Sequence, residues 1–276
     1  MNASMTNDYE HEIRHLREQI DELKVQNRIL TDELSMAVKL KYHLMPNVYP
    51  NFPDVPDVNI FADSLQLKPL GGDYYDFFRI DADHIGIVVA DIFDGGKAAA
   101  LYMVAFKLFI TSNTMMDDHI EDRMESVNDL LCMGNHNNLS LSAWFGVYEI
   151  STGVIRAVNA GHENALLLSD GRVWDYQEPV SYLLGVMPGM KFQSFEIKME
   201  KGEKLLLYTD GVSAAQNPYR EKYSRTRICR AFMETEGMSA EETIAHLQGD
   251  LQDFVKEKAL HEDATFLCLE RKGGER

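Results

Sequence analysis

The feature that most constrains this chain is a pair of aspartates in one β-hairpin. Gly71-Gly72-Asp73-Tyr74-Tyr75-Asp76-Phe77-Phe78 leads into a polar tip at Asp81-Ala82-Asp83. The chain returns as Ile85-Gly86-Ile87-Val88-Val89-Ala90-Asp91. Two β-rich runs about a short tip predict an antiparallel hairpin. With its centre at Ala82, Asp73 and Asp91 are equidistant from the tip and fall opposite each other. Opposed side chains have Cβ atoms about 4.5–5.5 Å apart, and like charges at that spacing destabilise a sheet. A cation between the carboxylates relieves the repulsion, which points to a hard metal such as Mg²⁺ or Mn²⁺. The alternative is a slipped register in which both aspartates end strands in water.

Two further acidic groups sit at strand ends. Asp210-Gly211 follows Leu205-Leu206-Leu207-Tyr208, and Glu262-Asp263 precedes Ala264-Thr265-Phe266-Leu267. Sheets bring distant strand ends together, so one rim can gather Asp73, Asp91, Asp210 and Glu262 or Asp263. Two divalent ions about 3.5–4 Å apart in such a set can clamp a phosphoryl group and acidify a water.

Ahead of this region lies a different texture. Residues 1–7 are polar and expected to be disordered. Ile13, Leu16, Ile20, Leu23, Asn27, Leu30, Leu34 and Ala37 then alternate at spacings of three and four. Ile at a and Leu at d favour a parallel two-stranded coiled coil, with Asn27 fixing register, and Glu12 and Arg17 can pair between chains. The other reading is an amphipathic helix lying on its own domain. Pro46, Pro53 and Pro56 mark a linker. The division expected is a helix over 1–45, a globular domain over 46–271 and a tail over 272–276.

Within the globular part, strands are predicted at 58–62, 141–150, 154–159, 165–168, 172–176, 192–197, 204–209 and 264–269. Helices are predicted at 97–111, with Leu101, Val104, Ala105 and Leu108 facing the core, and at 123–133. Ser239 and Glu242 form a capping box for another, whose Ile244, Leu247, Leu251 and Phe254 face inward. Hairpins dominate, which means an α+β fold: an antiparallel sandwich with helices on its outer faces.

Composition excludes several classes. No apolar run is long enough to span a bilayer and no signal segment opens the chain, so a cytoplasmic protein without membrane attachment is expected. Cys132, Cys229 and Cys268 are too few and scattered for a zinc cluster and read as free thiols. A net charge of −17 argues against a nucleic-acid partner.

Several motifs carry a family resemblance, in order over about residues 40–270. They are GGDYYDFF, VVADIFDGGKAAALYM, YEISTGVIRAVNAGHENALLL, LGVMPG, KGEKLLLYTDGVSAAQN and HEDATFLCL. The chain resembles the bacterial SpoIIE/RsbU-type branch of the metal-dependent protein phosphatases (PPM, protein phosphatase 2C-like). The resemblance implies two Mn²⁺ or Mg²⁺ ions held by Asp73, Asp91, the Ile92 carbonyl, Asp210 and the acidic pair Glu262 and Asp263, with Asp73, Asp91 and Asp210 essential to catalysis. It implies hydrolysis of phosphoserine or phosphothreonine, with a phosphorylated STAS-type anti-sigma-factor antagonist as substrate. It also implies a homodimer through the N-terminal helix.

The chain departs from that pattern at Phe93-Asp94-Gly95-Gly96, where Asp94 adds negative charge. Gly95, Gly96 and Lys97 remain the candidate phosphate-binding turn, at a helix N-terminus that favours anions. Glu262 stands where the family has aspartate, and Ser213-Ala214-Ala215 replaces Thr-Glu-Ala. These changes keep a second reading open, a degenerate phosphatase that binds its partner without turnover. His162 is read as structural and Asp76 as a supporting group. Gly-Gly-Asp-Tyr-Tyr is similar to a diguanylate cyclase signature, but its second acidic residue is missing.

Overall fold

The computed structural model describes residues 2–46, 49, 52–65, 71–93, 97–113, 119–176, 178–179, 181–258 and 260–273. Of these, the side chains of 2–10, 34, 37, 40, 97 and 113 are outside the description. The chain runs α1 (Asn2–Leu44), β1 (Val58–Leu65), β2 (Asp73–Arg79), β3 (His84–Ile92), α2 (Lys97–Asn113), α3 (Ile120–Cys132), β4 (Leu141–Glu149) and β5 (Val154–Ala160). It continues through β6 (Leu166–Ser169), β7 (Arg172–Asp175), β8 (Ser194–Lys198), β9 (Lys204–Tyr208), α4 (Asp210–Ser213), α5 (Ser224–Met233), α6 (Ala240–Val255) and β10 (Ala264–Arg271).

Two five-stranded antiparallel sheets result, ordered β1-β10-β9-β6-β7 and β2-β3-β4-β5-β8. Their central strands are buried on both faces, which explains their near-continuous apolar runs. Along β9, Leu205 and Leu207 belong to the apolar cluster shared by the two sheets, α2 and α3. Leu206 and Tyr208 belong to a second cluster, with Ile228 and Phe232 of α5 and Ile244 and Leu247 of α6. The period-two alternation of a strand thus sends successive residues into two cores. The fold is the expected α+β sandwich with helices on its outer faces.

Local chemistry sets several boundaries. The tip between β2 and β3 is held by the Asp81 carboxylate, which accepts the backbone N–H groups of Asp83 and His84 at 2.8 and 2.9 Å. Asp170 and Gly171, between β6 and β7, both have positive φ, as a two-residue primed turn requires. The capping box of α6 forms as expected between Ser239 and Glu242.

Two expectations are corrected, and one helix was not anticipated. The helix at 97–111 does not turn Leu101 and Leu108 inward: they are 74 and 60 % exposed, while Ala99, Met103, Phe106 and Ile110 are buried. This helix is apolar on most of its circumference, and both stripes have helical spacing, so periodicity alone could not choose between them. Residues 2–7, expected to be disordered, are helical. No Gly or Pro interrupts the chain from there to Leu44, and a helix once nucleated propagates. Finally, α5 had no sequence expectation. On α1, the seam residues Ile13, Leu16, Ile20, Leu23 and Leu30 form an apolar stripe about half exposed, not laid on the body of its own chain. The side chains of Leu34 and Ala37 lie outside the described residues.

Candidate metal centre

Asp73 opens β2 and Asp91 lies next to the end of β3, and the two are directly paired in the hairpin register. The slipped register is therefore excluded. Asp73 is 4 % exposed. Its Oδ2 accepts two hydroxyls from the other sheet, Thr209 Oγ1 at 2.8 Å and Thr265 Oγ1 at 2.5 Å. The two threonines also bind each other: Thr209 N–H donates to the Thr265 carbonyl at 3.1 Å, and Thr265 N–H donates to Thr209 Oγ1 at 3.1 Å. This braid ties the ends of β9 and β10 to the start of β2. It sets the neighbours of the threonines, Asp210 and the 262–263 pair, on the same rim.

Glycines allow the close approach. A Cβ on Gly72 would stand 2.5 Å from the Ile92 carbonyl oxygen and 2.7 Å from Asp91 Oδ1. One on Gly211 would stand 1.9 Å from the Asp263 carbonyl oxygen, and one on Gly71 would overlap the Asp263 carboxylate. Of the closing acidic pair, Asp263 is buried and Glu262 exposed.

The electrostatics reflect crowding. Burial, then the charge of Asp210, pushes the Asp91 carboxyl up to about 6, with Glu262 and Asp263 adding to the shift and a hydrogen bond to Asp73 opposing it. Asp73 is held well above the ordinary carboxylate range by burial and by Asp91, against the pull of the two threonine hydroxyls. Among the described residues no three carboxylates already converge on one point. The rim is gathered without being collapsed. Mg²⁺ and Mn²⁺ keep several waters and are bound through one or two direct carboxylates each. An oxygen-only donor set with unrelieved mutual repulsion fits such ions and does not fit soft metals.

Asp94, Gly95 and Gly96 lie outside the described residues, as does the Lys97 side chain, although Lys97 begins α2. Asp76 faces away from the rim chemically: Tyr74 donates to it at 2.6 Å and Lys107 at 2.7 Å. His162 is buried, and desolvation pushes its ring down to about 4, so it is neutral near pH 7. A cavity of about 280 Å³ adjoins the rim between Asp210, Phe93, Ser142, Glu163 and Arg225. Sequence reasoning missed Thr209, Thr265 and Lys41. The threonines flank candidate ligands and could have been suspected; nothing in the sequence brings Lys41, in the N-terminal helix, to this rim. Its Nζ donates to the Gly71 carbonyl at 2.6 Å.

The comparisons agree with this architecture. The profile of the Stage II sporulation protein E (SpoIIE) family matches residues 81–272. Protein IcfG of Synechocystis sp. is 26 % identical over 257 residues, covering 80 % of this chain and 40 % of IcfG. Phosphoserine phosphatase RsbU of Bacillus subtilis is 25 % identical over 250 residues, covering 88 % of this chain and 71 % of RsbU. The chain thus spans well under half of IcfG. Among solved structures, the SiaA-PP2C domain of Pseudomonas aeruginosa superposes with a TM-score of 0.77 at 16 % identity, covering 88 % of this chain and 98 % of that domain. With its profile match, its two-sheet fold and its acidic rim, the chain belongs to the SpoIIE family of PP2C-like phosphatase domains.

Proposed function

We propose that the chain is a metal-dependent phosphoprotein phosphatase that hydrolyses phosphoserine or phosphothreonine on a partner protein. The observation that carries this reading is the direct pairing of Asp73 with Asp91 on a rim shared with Asp210, Glu262 and Asp263. The residues that would hold two Mn²⁺ or Mg²⁺ ions are Asp73, Asp91, Asp210, Asp263 with Glu262 at the mouth, and the Ile92 carbonyl. Such ions supply Lewis-acid stabilisation of a phosphoryl group and lower the pKa of a water. The protein does the rest. Thr209 and Thr265 fix one oxygen of Asp73, leaving the other to a ligand. The adjoining cavity gives space for residues flanking the phosphorylated one.

The domain limits proposed are 1–45 for the helix, 46–271 for the phosphatase domain and 272–276 for a tail. The exposed stripe on α1 supports a parallel homodimer. RsbU, a phosphoserine phosphatase by name, supports a phosphorylated protein substrate, for which a STAS-type anti-sigma-factor antagonist is our candidate. No described helix is long and apolar enough to cross a membrane, and all three cysteines are free. These support a cytoplasmic location, where thiols stay reduced.

The test is hydrolysis of para-nitrophenyl phosphate and then of a phosphorylated STAS protein, with added Mn²⁺. Turnover that requires the metal and disappears in Asp210→Ala supports the enzyme. A protein that binds the phosphorylated partner yet turns over neither substrate would establish the degenerate reading instead.

A further inference from the structure

Asp210 sits on the least self-sufficient element of the rim. Its helix, α4, has only 4 residues, and so short a helix cannot repay its own nucleation. Contacts from outside must fix it. Ser213, which ends α4, donates its hydroxyl to Glu163 Oε1 at 2.8 Å, a nearer acceptor than the Asp210 carbonyl at 3.2 Å. The other oxygen, Glu163 Oε2, lies 3.6 Å from Arg225 Nη1 on α5. Arg225 in turn donates to the Tyr208 hydroxyl at 2.9 Å and pairs with Asp175. One carboxylate therefore bridges α4 and α5. The stretch Ser213-Ala214-Ala215, where the chain departs from the family pattern, has no carboxylate of its own.

Glu163 can bear on α4 because its own backbone is immobilised. Asn159, fully buried, clasps the preceding residue: its Oδ1 accepts the His162 N–H at 2.7 Å, and its Nδ2 donates to the His162 carbonyl at 3.0 Å. Nδ2 also donates to Glu178 Oε2 at 2.8 Å. Glu178, itself buried, accepts the Ala165 N–H on Oε1 at 2.7 Å. The His162 ring closes the loop, with Nδ1 3.1 Å from the Glu163 carbonyl oxygen. A carbonyl only accepts, so Nδ1 carries the proton. Three buried side chains thus hold the loop on both sides of Glu163.

We propose that Glu163 is a positioning residue for Asp210, holding α4 through Ser213 so that the Asp210 carboxylate is presented to a divalent ion. This rests on the metal-centre reading above and adds a residue that acts on the ion only through Ser213 and Asp210. A hydrogen bond to a carboxylate is stronger than one between neutral groups, which suits it to restrain an element that cannot restrain itself.

The test uses the full chain and Mn²⁺ titrated by calorimetry, with denaturant unfolding of the metal-free proteins alongside. Glu163→Ala and Ser213→Ala are each expected to weaken Mn²⁺ binding at least about fivefold. The double variant is expected to lose no more than the larger single loss, because the two groups form one contact. Ser213→Thr keeps the hydroxyl and is expected to bind Mn²⁺ within about twofold of the wild type. Should Glu163→Ala fail to fold, Ser213→Ala against Ser213→Thr decides the matter. Wild-type Mn²⁺ affinity in Ser213→Ala, losses that multiply in the double variant, or lowered stability with unchanged Mn²⁺ affinity would overturn the role of Glu163 and leave the metal centre standing. Absence of Mn²⁺ binding in the wild type overturns both.

Discussion

His162 shows how little a residue's identity says about its role before its surroundings are known. Its ring is buried, with Nδ1 3.1 Å from the Glu163 carbonyl oxygen, and desolvation sets its pKa to about 4. The unfolded chain binds this proton near pH 6.5, the folded chain near 4. The folded pKa is depressed, so this contribution to stability is complete above about pH 6.5 and is lost as pH falls toward 4. Denaturant unfolding at pH 7 and pH 4.5 should therefore show a loss of about 2–3 kcal/mol attributable to His162, absent in His162→Gln. An equal loss in the variant would show that another group is responsible. The aspartates were legible from spacing alone because strand pairing is a simple symmetry about the tip. Thr209 and Thr265 were open to suspicion only as neighbours of candidate ligands, and Lys41 not at all, because their partners are separated from them in sequence and meet only once the two sheets and α1 are in place.

At the scale of the elements, hairpins were read well and helix faces less well. Alternation with period two and turn residues such as Asp170-Gly171 locate strands from local chemistry. The buried stripe of α2 depends on which of two apolar faces meets α3 and the sheet, which is a tertiary matter. Close approach of elements at the rim is equally tertiary, and it makes two glycines behave in opposite ways. Gly72→Ala would push a Cβ into the Ile92 carbonyl and Asp91. It should cost about 1–3 kcal/mol in denaturant unfolding and weaken Mn²⁺ binding at least about tenfold. Gly249, inside α6, has open space around its Cβ. Gly249→Ala should stabilise the protein by about 1 kcal/mol, through helix propensity, and leave Mn²⁺ binding alone. Stability changes of the same sign at both sites would contradict the packing described here.

The whole molecule joins a compact sandwich to a long helix whose apolar stripe, among the described residues, has no cover on its own chain. The heptad pattern made this helix legible from the sequence. Its reach back to Asn2, and its last turn at the acidic rim, were not legible. Sedimentation of a chain lacking residues 1–40 should give half the mass expected of the full-length dimer, beyond the loss of the residues themselves; full-length protein that sediments as a monomer would remove the coiled coil. The most direct test of the account as a whole is a count of ions. Equilibrium dialysis against Mn²⁺ should give two ions per chain in the wild type and a loss of at least one in Asp73→Asn, Asp91→Asn and Asp210→Asn alike. Binding that is absent in the wild type, or indifferent to all three substitutions, would contradict the claim that strand ends from both sheets build one divalent-metal centre.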